Sequence, residues 1–299
     1  MKVAILGGSG KMGQWFARFL LKEGKQVIIT GRNERKLLTA REQLGVDITT
    51  SNVEAIKQAN VIVLSLPIDS FEQVVEQISP HMRSGQIVLD ITSVKALPVE
   101  IMHRHIKTGL VLGTHPVFGP GARDMSNQNF VLTPTNDEEN SLAQKVGHYV
   151  EERGAKATLM TPGEHDEMMT IVLGLSHFIA ITSADTLISS EKFQRMKEVG
   201  GTTYRVLLTL VESVISEDPE LYASLQMSLP GMSRVEELFL KKSKEWADLV
   251  KSKDKQTFVQ RMTDLRTELE KADPDFGSAY ESMYRLLETQ EFDKSTDLS

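Results

Sequence analysis

The chain contains no cysteine, which excludes disulfides, thiolate metal sites and cysteine nucleophiles together. It has no surplus of positive charge either: 34 Lys and Arg stand against 41 Asp and Glu, for a formal charge of −7. Such a balance offers no basic stripe to a nucleic acid, and a small anionic ligand has to be held by local cations. No apolar run approaches the roughly 20 residues of a membrane span, and Met1-Lys2 leads straight into a strand rather than into a signal peptide. The expectation is a cytoplasmic protein without a membrane partner. Repeats and low-complexity linkers are absent, and no histidine pair with carboxylates has metal-ligand spacing, so no metal is expected. His81, His103, His105 and His148 fall in exposed-looking contexts and are assigned no role.

What is present is enough for two domains: 299 residues, of which 40% are hydrophobic. The first half alternates short apolar runs with helical patterns, as a doubly wound parallel sheet of the Rossmann type requires. Expected strands cover 2–6, 26–30, 61–65, 86–91, 111–113 and 129–132, with an edge strand over 156–160. Helical patterns cover 12–23, 34–44, 71–78 and 137–153, the last capped by Asn136 or Asp137. After about Pro162 strand-like runs nearly vanish. The expected division is therefore a dinucleotide-binding domain over 1–163 and an all-helical domain over 164–299, with helices over 164–189, 204–216, 219–226, 234–251 and 255–271 and a polar, frayed tail after Gln290.

The N-terminal run MKVAILGGSGKMG is an apolar strand passing into Gly8-x-Gly10-x-x-Gly13, which opens a helix and encloses Lys11 and Met12. Glycines there permit a tight turn and close backbone approach, while the helix N-terminus presents amides to a pyrophosphate. An acid at the end of the second strand would accept the 2′-hydroxyl of NAD. This chain has Gly31 in that place and Arg32 beside it, a pairing that suits the 2′-phosphate of NADP, with Thr30 and Asn33 as further hydrogen-bonding groups. A solvated surface arginine is the plainer reading. Leu66 and Pro67, where the strand over 61–65 ends, are placed to pack on the cofactor, although an ordinary strand exit explains them nearly as well.

The segment Gly113-Thr-His-Pro-Val-Phe-Gly-Pro-Gly121 sets His115 among glycine and proline turns just after the apolar run 110–112. A histidine at a sheet edge faces a crevice, where an imidazole near neutral pKa can take a proton from a substrate hydroxyl. Ser93, in Asp90-Ile-Thr-Ser-Val-Lys95, sits at the carboxyl end of a strand as a ligand group or simply a cap. Glu164-His-Asp166 marks a helix start, and His165 and His177 are spaced to lie near one face of a straight helix. His177, in an apolar helix, also reads as a satisfied core residue. Arg205 opens a strongly apolar helix and there needs an anion, structural or bound.

Together these blocks resemble the prephenate dehydrogenase family of tyrosine biosynthesis over nearly the full length. GGSGKMG, DITSVK, GTHPVFGPG, the EHD-to-SH spacing and YRVLLTLVESVISEDPELYASLQ follow that family's order, the last block and HPVFGPG being most like the enzymes fused to chorismate mutase; no mutase segment is seen before Met1. The resemblance implies that His115 is the catalytic histidine, Ser93 a substrate-hydroxyl ligand, His177 a second histidine near the substrate and Arg205 the grip on a substrate carboxylate. It also implies oxidative decarboxylation of prephenate to 4-hydroxyphenylpyruvate, and a homodimer formed through apolar residues such as Leu207, Leu225, Met227, Leu229 and Met232. The chain departs from pattern at Leu173-Gly-Leu-Ser-His177, where many members have Ser-His-Leu-Pro-His, and at Gly31-Arg32, which argues for NADP over NAD. Arogenate as substrate, a deazaflavin-linked NADP oxidoreductase and a non-catalytic nicotinamide-binding redox sensor are the alternatives.

Overall fold

The computed structural model describes residues 1–296, with side chains to Leu287. The chain forms two compact units, Met1–Thr170 with Met227–Pro230, and Ile171–Gln226 with the chain from Gly231 onward. In the first, β1 (Lys2–Leu6), α1 (Lys11–Lys22), β2 (Gln26–Thr30), α2 (Glu34–Leu44), β3 (Asp47–Thr49), α3 (Asn52–Gln58), β4 (Val61–Leu64) and α4 (Ile68–Ile78) lead into β5 (Ile87–Asp90) and α5 (Ala96–His105). There follow β6 (Leu110–Pro116), β7 (Asn129–Thr133), α6 (Asp137–Glu151), β8 (Lys156–Leu159) and α7 (Pro162–Met169). The eight strands lie in the order β3-β2-β1-β4-β5-β6-β7-β8, so the order reverses beside β1, which is where open α/β sheets bind dinucleotides.

Strands covered on both faces need near-continuous apolar sequence, and KVAIL, QVIIT and VIVL supply it. Alternate residues of β1 serve opposite layers: Val3 and Ile5 join a core with Trp15, Phe16 and Leu132, whereas Ala4 and Leu6 join one with Ile62, Phe71 and Met102. Helix ends follow local chemistry. Asn33 Oδ1 accepts from Lys36 N to start α2, and Gly45 ends it at φ 70°. Asn136 caps α6, and Thr161 with Glu164 forms a capping box on α7.

The sheet is parallel except at one seam, where β7 runs antiparallel to β6 with His115 opposite Val131. The connection 117–128 contains no helix to carry a right-handed crossover, so the chain turns straight back, Val117 N donating to Asn129 O. The doubly wound parallel sheet expected from the sequence is present, with this one antiparallel pairing added. The division expected at 163/164 falls inside α7, which belongs wholly to the first unit because Asp166 accepts from Lys95 N and Ala96 N. Thr170 Oγ1 donates to Pro230 O and so ties the short segment 227–230 to the same unit.

The second unit is helical: α8 (Ser176–Ser189), α9 (Phe193–Val199), α10 (Thr202–Ile215), α11 (Pro219–Ser228), α12 (Met232–Ser252), α13 (Lys255–Ala272) and α14 (Ala279–Thr296). In it α8 and α14 pack on α10, and α12 packs on α13. The polar tail past Gln290 is helical to Thr296, and its last three residues lie outside the described residues. A π-helical segment, Thr170–Leu175, precedes α8. The wider turn breaks the straight α-helical phase on which a shared face for His165 and His177 depended. The stretch Pro162–Ser189 is helical throughout its 28 residues, with a window of mean hydropathy 1.7, long and apolar enough by length and composition to cross a membrane. This corrects the reading of no such run: Thr170, Ser176, His177 and Thr182 interrupt the apolar pattern without adding charge. An interior helix of a soluble protein has the same composition. Leu225, Leu229 and Met232 are buried within the chain, whereas Met227 is 85% exposed.

Phe71 lies fully buried in one core layer. Phe71→Ala should cost about 3–5 kcal/mol, read as a lowered urea midpoint; a change below about 1 kcal/mol would show that this layer is not tightly packed.

Candidate functional site

The turn after β1 is built by close approach. A Cβ on Gly8 would lie 2.6 Å from Ile29 Cβ, and one on Gly13 would lie 2.6 Å from Gly8 Cα. Gly10 is the N-cap of α1 and has no side chain to satisfy the first-turn amides, which lack intrahelical acceptors. Lys11 begins that helix and Met12 packs against the core. This is a cradle for an anion with room at backbone level, so a dinucleotide pyrophosphate fits it. Leu66, half-buried, reaches toward the same turn, its Cδ2 lying 3.2 Å from where a Gly7 Cβ would stand. Exposed Pro67 is the N-cap of α4.

At the end of β2, a Cβ on Gly31 would meet Ser9 Oγ at 2.2 Å, so Ser9 occupies the space that an acidic side chain would enter. Arg32 is exposed and makes no hydrogen bond or ion pair among the described residues. Thr30 does not join it: the hydroxyl is buried and donates to Asn52 Oδ1 at 2.6 Å. Asn33 is committed through Oδ1 to capping α2.

His115 lies within β6 rather than after it. The last parallel pair between β5 and β6 is Asp90 with Gly113, so Thr114, His115 and Pro116 run past the carboxyl end of β5. β7 supports this overhang on its other side. The loop beyond is held from α1: Trp15 Nε1 donates to Ala122 O at 2.6 Å, and its ring meets Phe118 edge-on at 4.9 Å. Ser93 is in the loop after β5, half-buried, with a hydroxyl that makes no hydrogen bond among the described residues. The fold thus brings Ser93 and His115 to the carboxyl edge of adjacent strands, in the row that also holds the glycine turn.

Beneath this edge is a polar network that sequence reasoning did not assemble. The Lys95 ammonium is fully buried, pairs with Asp90 Oδ1 and donates to Thr114 O at 2.7 Å. Burial lowers its pKa, against the pull of Asp90. Asp166 accepts from the backbone amides of Lys95 at 2.7 Å and Ala96 at 2.9 Å, sealing the N-terminus of α5. Its Oδ1 lies 2.7 Å from His165 Nδ1, and His165 Nε2 lies 2.8 Å from His115 Nδ1. Both rings are buried. Burial foremost, then His165 and Lys95, hold His115 well below the ordinary histidine value of 6.5, not near neutrality. Burial lowers His165 as well, opposed by its bond to Asp166. The signals were a lysine just past a strand end and a His-Asp pair opening a helix.

His177 and Arg205 belong to the second unit. His177, on α8, is half-buried with Nδ1 unpartnered among the described residues, its ring edge-on to Tyr222 at 4.7 Å, and burial lowers its pKa. Arg205 is in the first turn of α10 and is exposed, so it carries none of the desolvation cost expected of an arginine sealed in an apolar helix. Among the described residues no group of three or more His, Asp or Glu side chains could hold a metal ion.

Sequence models of the nucleotide-binding domain and the dimerization domain of prephenate dehydrogenase match residues 16–159 and 161–264. The chain belongs to the prephenate dehydrogenase family. A probable arogenate/prephenate dehydrogenase of Methanocaldococcus jannaschii is 35% identical over 88% of this chain and 59% of its own length. The T-protein of Haemophilus influenzae is 27% identical over 89% of this chain and 66% of its own. The chain thus spans about three fifths to two thirds of these relatives. The crystal structure of prephenate dehydrogenase from Aquifex aeolicus, in complex with hydroxyphenyl propionate and NAD+, shares the fold, with a TM-score of 0.74 at 21% identity over 91% of this chain and 98% of that one.

His115, His165 and His177 are all depressed, so each is neutral when folded and takes up a proton on unfolding. The stability they contribute is present above the unfolded value near 6.5 and is lost as pH falls below it toward the folded values. Urea midpoints should therefore drop between about pH 7 and pH 5, and His115→Phe should flatten that slope. An unchanged slope in the variant would place the proton uptake elsewhere.

Proposed function

We propose that the chain is a nicotinamide-dependent dehydrogenase that converts prephenate to 4-hydroxyphenylpyruvate and carbon dioxide, with NADP as the preferred cofactor. The observation that carries this reading is His115 on the overhang of β6, with one ring nitrogen held from behind and the other left open at the carboxyl edge of the sheet. Gly8, Gly10 and Gly13 would hold the pyrophosphate and Arg32 a 2′-phosphate; the group so bound supplies the hydride acceptor.

The chain's own residues then have distinct tasks. His115 Nε2 accepts the proton of the ring hydroxyl as the carbinol carbon is oxidised, and Ser93 orients that hydroxyl. As the ring carboxylate leaves as carbon dioxide, its bonding electrons flow through the ring to the carbonyl oxygen, which recovers the proton from His115 as the phenol. A neutral, buried His115 is suited to borrow a proton and return it. Arg205 grips a substrate carboxylate and His177 lies near the substrate; alignment is their contribution. Arogenate, which carries an amine in place of the side-chain ketone, would use the same ring chemistry. We read the enzyme as a cytoplasmic homodimer, supported by the dimerization-domain match and by exposed apolar residues including Ile171, Val172, Leu210 and Met227.

The test is absorbance of reduced cofactor with NADP+ and prephenate, then arogenate, then NAD+ in place of NADP+. Turnover of neither substrate would remove the reading and favour a non-catalytic nicotinamide sensor. His115→Asn should lower kcat by roughly 10²–10⁴-fold with substrate still bound, whereas Arg205→Ala should act mainly on KM. Loss of a charge-assisted phosphate partner costs about 1.5–3 kcal/mol. Arg32→Ala should accordingly weaken NADP+ roughly ten-fold or more and leave NAD+ nearly unchanged; equal losses for both cofactors would show that Arg32 does not read the 2′-phosphate.

A further inference from the structure

We propose that His165 and Asp166 are positioning residues that fix the tautomer of His115, so that its open nitrogen always carries the lone pair. The inference rests on the reading of His115 as the proton acceptor. It begins at Asp166, whose two oxygens accept from Lys95 N and Ala96 N at the start of α5. Backbone amides and a helix N-terminus stabilise the ionised form, and an ionised carboxylate only accepts. His165 Nδ1, 2.7 Å from Oδ1, must therefore be the protonated nitrogen of that ring.

With Nδ1 protonated, a neutral His165 offers Nε2 as an acceptor. The ring is fully buried among Asp166, Lys95 and Asp90, where a second proton is disfavoured. His115 Nδ1 stands 2.8 Å from that acceptor and must be the donor. A neutral His115 then has its lone pair on Nε2, which makes no hydrogen bond among the described residues. The direction of every bond is set by the one group that cannot donate. This matters because a free imidazole side chain favours the opposite form, with hydrogen on Nε2, in which the nitrogen open to the substrate would be a donor and no base. Neither His165 nor Asp166 touches the reacting atoms in this account; they act through His115, as outer partners of a catalytic ring commonly do.

The test compares wild type, His165→Leu and His165→Gln by heteronuclear NMR of the imidazole rings without ligand at pH 7.5, and by steady-state kinetics. Wild type should show both His115 and His165 protonated at Nδ1. In His165→Leu, His115 should move toward the Nε2-protonated form and kcat should fall about 10²-fold, with cofactor binding unchanged. Glutamine can place Oε1 where His165 Nε2 stood, so His165→Gln should recover most of the loss. The proposal is overturned if His115 is Nε2-protonated in wild type, if it stays Nδ1-protonated in a folded His165→Leu, or if a folded glutamine variant is no better than leucine. Should the leucine variant fail to fold by thermal melting, the wild-type tautomer alone decides. If wild type turns over neither prephenate nor arogenate while the tautomer shifts as described, the relay stands and the assigned activity falls.

Discussion

The carboxylate of Asp166 is the constraint on which the active edge of this protein depends. It is buried, it accepts two backbone amides from the start of α5, and it orients His165. A buried carboxylate is costly unless hydrogen-bonded, and the two amides supply those bonds. Those amides exist as unsatisfied donors only because α5 begins there. The start of α5, the middle of α7 and the tip of β6 are thereby tied to one side chain. Displacing any of the three would leave an unpaired polar group in a dry interior, at a cost of about 1–3 kcal/mol each.

The strand geometry supplies the other half. β6 overruns β5 after the pair Asp90–Gly113, and the antiparallel seam with β7 supports the overhang on its far side. A side chain at the tip of an unsupported strand would fray; here it is held by hydrogen bonds of a continuing ladder. Rigid placement on a strand suits a proton acceptor better than a loop does, since misplacement of the order of 1 Å can cost a catalyst about 10²-fold.

Much of the first unit was legible because its strands are apolar runs bounded by clear turns: β1, β2 and α2 fall where periodicity put them. Three elements escaped. β3 is three residues long, α3 is seven, and α5 carries Pro98 in its first turn and shows little amphipathic contrast. The reversal at β7 was not legible either, because alternation of apolar residues is the same in a parallel and an antiparallel pair. At the candidate site, a local motif was enough to single out the glycine turn, Gly31-Arg32, Ser93 and His115 as candidates. His165, Asp166 and Lys95 act through partners 50, 71 and 19 positions away. No local pattern records such pairings. Thr30 was misjudged for the same reason, as its hydroxyl is taken by Asn52.

The two ends of β5 are closed by different chemistry. At the amino end, Gln86 is buried, donates from Nε2 to Ile56 O and Ala59 O, and accepts from Arg83 N through Oε1. The buried side chain there is a neutral amide, and the Arg83 guanidinium that also donates to Ala59 O belongs to an exposed residue. At the carboxyl end, Lys95 and Asp90 are both fully buried and paired. Replacing such a pair with apolar groups is often neutral or stabilising, while removing one partner costs about 3–5 kcal/mol. Burial is comparable at both ends, so packing alone does not call for ions at one of them. What differs is the neighbourhood, because the charged end lies under Thr114 and His115 and the neutral end does not. Lys95 holds the carbonyl of Thr114 and, after burial and His165, adds its charge to what lowers the proton affinity of His115. The charges are accounted for by the histidine they hold and tune.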